Sequence, residues 1–139
     1  MSTVTRDPDP TPLRTDEMIE RFVSDIIGHA VRRQVWSFFL DDDGMLTGPV
    51  IPVEDVPALP GAEDAAGFGA VIGTAAEVVE ARAVILVWER PGPPMLSSAD
   101  RHWLCTFHDG LTAHDVEVRA VLVSHAHGVR WARRDDYGF

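Results

Sequence analysis

The chain has 139 residues, 45% hydrophobic and 24% charged, with a formal net charge of -10, a size and composition that suit one soluble domain with one core. No apolar run approaches the roughly 20 residues that span a bilayer, and the acidic balance repels nucleic acid and other polyanions, so no membrane and no nucleic acid is expected as a partner. All twelve basic residues are Arg; they are scattered (Arg32, Arg33, Arg130, Arg133, Arg134) and read as solvated or ion-paired faces rather than as a binding stripe.

The opening "MSTVTRDPDPTPLRTDE" has no apolar core of a signal peptide. Its Pro, Asp and Thr content predicts a disordered arm over residues 1–15, leaving 16–139 as the domain. Residues 16–30 fit a helix capped by Thr15 or Asp16, with Met18, Ile19, Phe22, Ile26 and Ile27 as an apolar stripe that weakens at Gly28. Residues 35–40 read as a strand, with Trp36, Phe38 and Leu40 on one face and Val35, Ser37 and Phe39 on the other. Asp41, Asp42, Asp43 and Gly44 form a turn rather than a calcium loop, because the ligand spacing and closing Glu are missing. A second strand is predicted over 45–53.

Residues 64–81 fit a helix whose apolar face is Phe68, Val71, Ile72, Ala75, Val78 and Val79. Its "GFGAVIG" lacks the spacing and preceding strand of a dinucleotide loop, so the glycines are expected to pack closely against the sheet. "AVILVW" (83–88) is apolar without alternation and predicts a central strand covered on both faces. After "ERPGPPMLSSAD" a helix over 98–113 carries Trp103, Leu104, Phe107 and Leu111, and Ser97 with Asp100 makes an S-x-x-D capping box. Residues 116–124 and 129–132 complete a hairpin. The order predicts a mixed sheet with helices on both faces, a three-layer α-β-α domain of the α/β class.

Cys105 is the single cysteine, which rules out an internal disulfide and points to a reducing cytoplasm; on its helix it reads as a small core residue rather than a nucleophile. His125-Ala126-His127 is read as an exposed turn pair, not a metal site. Ser97, Asp100 and His102 do not form a hydrolytic triad, because a capping serine faces the backbone.

Over residues 32–131 the chain resembles the RadC-like branch of the JAB/MPN metalloprotease superfamily, which is cytidine-deaminase-like in architecture. The resemblance lies in "RRQVWSFFLDDDGML" as the first strand and turn, in an apolar strand followed by the Pro-rich "RPGPPMLSSAD" and a helix, and in the closing hairpin "VEVRAVLVSHAHGVRW". It implies a zinc site built from two imidazoles and a carboxylate, with a Glu as general base. Carried over by position, the imidazole sites hold Val87 and Glu89, the carboxylate is Asp100, and the base position holds Arg33, which cannot lose its proton in the usable range. The resemblance therefore implies a frame with only vestigial metal positions, no catalytic residues, no metal and no cofactor. An Arg33–Glu89 ion pair is expected in place of the metal, in a vestigial groove formed by Arg33, Glu89, Arg90, Ser97 and Asp100. The function expected is a binding or scaffolding domain with an unknown protein partner or a second copy as homodimer. The alternatives are a divergent metal-dependent hydrolase using Glu89 and Asp100, and a small-ligand or peptide binder in the groove.

Overall fold

In the computed structural model, residues 12–137 are described, apart from 58 and 62. Strand β3 (Ala83–Glu89) is buried along its whole length, as a run without alternation requires when both faces are covered. It is the middle strand of a five-stranded mixed sheet in the order β2-β1-β3-β4-β5. β1 (Gln34–Leu40) pairs antiparallel with β3 and with β2 (Ile51–Glu54). β4 (Glu117–His125) runs parallel to β3 and pairs antiparallel with β5 (Gly128–Trp131).

Alternation along β1 and β3 sends side chains into two separate cores. Phe38, Leu40, Ile85 and Val87 pack with Ile19 and Val23 of α1 (Asp16–Ile26). Val35, Phe39, Val84, Leu86 and Trp88 pack with Ile72 and Ala76 of α2 (Asp64–Val78) and with Trp103, Leu104, Phe107 and Leu111 of α3 (Ser98–Thr112). Helices thus lie on both faces, and the two faces predicted for β1 are the ones observed. A short α4 (Arg134–Tyr137) has no counterpart in the sequence pattern.

Several boundaries differ from expectation. The predicted arm includes residues that are packed: Leu13 is buried, and its amide donates to the Gly44 carbonyl at 2.8 Å. The rest of the arm, residues 1–11, lies outside the described residues. Helix α1 stops at Ile26 instead of residue 30, because Gly28 takes φ 66° and its amide turns back to the Val23 carbonyl, a common helix ending. The second strand is shorter than 45–53: only a bridge between Leu40 and Leu46 precedes β2. Gly48 interrupts it at φ 71°, against Val79.

The glycines of "GFGAVIG" do not meet the sheet. A Cβ on Gly69 would collide with the backbone of Gly110 on α3, and one on Gly73 would lie 2.6 Å from the His114 ring. They serve the α2–α3 contact, so the buried side of α2 is Gly69, Ile72, Gly73 and Ala76, while Val71 and Val78 are exposed. Two substitutions separate backbone approach from helix propensity. Gly69→Ala is expected to lower the urea midpoint by the equivalent of about 1–3 kcal/mol through overpacking. Gly67→Ala, whose Cβ meets nothing within 4 Å, is expected to raise it by roughly 0.5–1 kcal/mol.

Candidate functional site at the carboxyl end of the central strand

The last residues of β3 set the geometry. Because side chains alternate, Val87 and Glu89 point to the α1 face while Trp88 and Arg90 point to the α3 face. Glu89 is 1% exposed. One carboxylate oxygen accepts from the amides of Val31 (2.8 Å) and Arg32 (3.2 Å). The other accepts from Gln34 Nε2 (2.7 Å) and Trp36 Nε1 (2.9 Å). Gln34 lies directly opposite Glu89 in the β1–β3 register, and the two amides belong to the turn that leaves α1. Burial alone would raise the Glu89 pKa; the four N–H donors outweigh it and hold the group below its ordinary value.

The expected Arg33–Glu89 ion pair is therefore not formed. The parity of the strand places Glu89 on the face away from Arg33, and neutral N–H groups take both of its oxygens. Asp100 has a matching shell on the opposite face. Its Oδ1 accepts from Trp88 Nε1 (2.8 Å) and Arg90 Nε (3.1 Å). Its Oδ2 accepts from Arg90 Nη2 (3.0 Å) and the Ser97 amide (2.8 Å). The Arg90–Asp100 pair is forked, and each side chain is 7% exposed. Ser97 Oγ in turn accepts from the Asp100 amide at 3.0 Å, completing the capping box as the sequence predicts. Desolvation pushes the Asp100 pKa up, but Arg90 and the other donors pull it below its ordinary value.

Metal binding does not fit these positions. Val87 has no donor atom and packs among apolar side chains. Glu89 and Asp100 face opposite layers, and every carboxylate oxygen already accepts N–H groups. Among the described residues no group of three or more His, Cys, Asp or Glu is placed to hold an ion.

Four of the five expected groove residues, Arg33, Arg90, Ser97 and Asp100, do line one cavity of about 220 Å³. Trp88, Pro91, Gly92, Pro93, Met95 and Ala99 complete its wall; Glu89 is not part of it. The residue missed as a partner is Trp88, whose indole N–H the strand pattern left unassigned. The signal was available, since a buried Trp on the Arg90 face needs an acceptor.

His125 corrects another expectation. It ends β4 with 6% exposure, and its Nδ1 accepts the His127 amide at 3.1 Å. Desolvation first, then the charges of Arg90, His127 and Arg130, lower its pKa and favour the neutral ring. The Ala126 amide donates to the Gly92 carbonyl at 2.8 Å, tying this hairpin to the proline turn. Cys105 is half-buried and donates to the Tyr137 carbonyl at 2.8 Å; burial raises its pKa, which disfavours the thiolate. Three of the scattered arginines are ion-paired, Arg32 with Glu54, Arg130 with Asp136 and Arg133 with Asp16, which also pairs with Arg119; Arg33 instead lines the cavity.

Comparison with family profiles and with curated proteins returns no match for the chain. Among the described residues no helix is long and apolar enough to cross a membrane.

Two consequences can be measured. Asp100→Asn leaves Arg90 charged and buried, so it is expected to cost about 3–5 kcal/mol in urea unfolding at neutral pH. Glu89→Gln keeps one accepting oxygen but turns an NH2 group onto two donors, for a loss of roughly 2–4 kcal/mol. Both carboxylates have lowered folded pKa values, so the stability they add is complete above their ordinary values, near 4. It is lost as pH falls through the lower folded values. Urea midpoints of the wild type are expected to decline on acidification below about pH 4, and each variant is expected to show a shallower decline.

Proposed function

We propose that this chain is a non-catalytic binding or scaffolding domain built on a JAB/MPN-like, cytidine-deaminase-like frame. The order helix, hairpin, helix, strand, helix, hairpin supports the frame, as does the strand order β2-β1-β3-β4-β5. One observation carries the non-catalytic part. The two carboxylates at the carboxyl end of β3, where an open α/β sheet commonly keeps its chemistry, are each spent on four N–H donors of their own chain. A carboxylate acting as general base or metal ligand needs a free lone pair directed at substrate or ion. Here those lone pairs hold the fold.

The same saturation weighs against the divergent hydrolase, which would require Glu89 and Asp100 to act together from opposite faces of the sheet. The groove-binding alternative gains support, because the cavity beside the proline turn gathers Arg33, Arg90 and the start of α3. Rigid prolines preorganise one wall of it, which lowers the ordering cost of a bound group.

Metal analysis of the purified protein tests the reading. Zinc is expected to be far below one per chain, chelator is expected to leave the thermal midpoint unchanged, and peptidase assays are expected to stay at background. One zinc per chain, removable with loss of thermal stability and of a peptidase activity, would overturn it.

A further inference from the structure

Among the described residues, two buried side-chain polar atoms have no hydrogen-bond partner: Ser37 Oγ and Arg90 Nη1. The second is the more costly, since it belongs to a cation that is 6% exposed and an unpaired buried donor loses its hydration without return. The other nitrogens of Arg90 are engaged by Asp100 and by the Met95 carbonyl. Nη1 lies beside Gly92, 3.8 Å from where a Cβ would stand, and both residues line the 220 Å³ cavity.

The surroundings of that nitrogen are positive. Gln34 pairs with Glu89, so one step further along the same register sets Arg33 opposite Arg90, on the face of the sheet that carries the cavity. Like charges directly opposite one another repel. Asp100 neutralises Arg90 but leaves Arg33, which is exposed and lines the same cavity. Ser97 and Ala99 bring the amino end of the 15-residue α3 to the wall, where first-turn amides lie outside the helix ladder and the dipole is positive. The remaining wall, Pro91, Pro93 and Met95, is apolar.

We propose that this cavity is a binding site for a small monocarboxylate, whose oxygens accept from Arg90 Nη1 and Arg33 while its short apolar stem packs on Pro91, Pro93 and Met95. A monoanion matches the single unneutralised cation; a phosphate dianion would bring more charge than the site offsets and would gain nothing from the apolar wall. Nη1 is buried at the cavity wall, so a side chain moves to admit the oxygen while the backbone of the proline turn keeps its place. Met95, 75% exposed, is the side chain free to move aside. This inference rests on the binding reading above and names the ligand class of that site.

The test is an amide and guanidinium NMR titration of the full isotope-labelled chain with butyrate, with butyramide as its neutral isostere, and with inorganic phosphate. Saturable butyrate shifts are expected at the Gly92, Met95 and Ser98 amides and at Arg90 Nε–H, with no saturation by butyramide. Arg33→Gln is expected to weaken butyrate by about threefold, the scale of one exposed charge contact, without lowering the thermal midpoint. Equal shifts with butyramide, shifts away from the cavity, no saturable response, tighter binding of phosphate, or unchanged affinity in Arg33→Gln would each overturn the proposal. Metal content tests the parent reading separately: a zinc-free chain that ignores butyrate loses this inference alone, and a zinc-loaded peptidase loses the parent reading whatever the titration shows.

Discussion

A guanidinium and a carboxylate held together out of water are a costly way to join two elements, and the Arg90–Asp100 pair is the joint on which this end of the molecule turns. Desolvating both ions costs several kcal/mol each, and their attraction returns that only when the geometry is good and the remaining lone pairs are filled. Both conditions are met. The contact is forked, and the Trp88 indole and the Ser97 amide fill the rest of Asp100. The same carboxylate closes the first turn of α3, so the end of β3, the proline turn and the helix start share one anchor. With Met95 also bound through its carbonyl, the path of residues 91–96 is dictated from both ends, and the cavity above it has a defined floor.

Glu89 does the corresponding work on the other face without any cation. Four N–H groups, two of them backbone amides from the chain leaving α1, keep it charged. Neighbouring residues at the end of one strand thus fasten the helical layers on opposite sides of the sheet. One uses an ion pair and the other a cage of neutral donors, which avoids placing a second buried cation beside Arg90.

Much of this could be read from residue order. The alternation in "VWSFFL" fixed which β1 side chains share a core, the unbroken "AVILVW" marked the central strand, and S-x-x-D marked the start of α3. The site was legible only in part. Arg33, Arg90, Ser97 and Asp100 line one cavity because they flank a strand end and a helix start that meet. Glu89 was misgrouped because the resemblance assigned ligands by spacing along the chain, whereas the pleat separates 89 from 90 by the thickness of the sheet. The glycines of α2 were visible as close-contact points, but their partner, Gly110, lies 41 positions from Gly69, and nothing local identifies it. His125 looked like a turn residue because Gly128 follows closely; the strand runs on to it because it pairs with Gly128 at the start of β5, and its carbonyl also accepts the Ala30 amide at 2.8 Å.

The two fasteners are consecutive residues, the last of β3 and the one that follows it, with no spare residue between them. Over evolutionary time, side chains elsewhere in that strand are free to drift among similar volumes, since each fills only its own layer. A change of length is another matter. Deleting or inserting a single codon upstream of Glu89 within the strand would deliver the acid to the helix cap and the arginine into the cage of donors, inverting the sign of charge at both sites. Relatives of this chain should therefore vary in composition across the segment but share its count of residues, with gaps confined to the connecting turns.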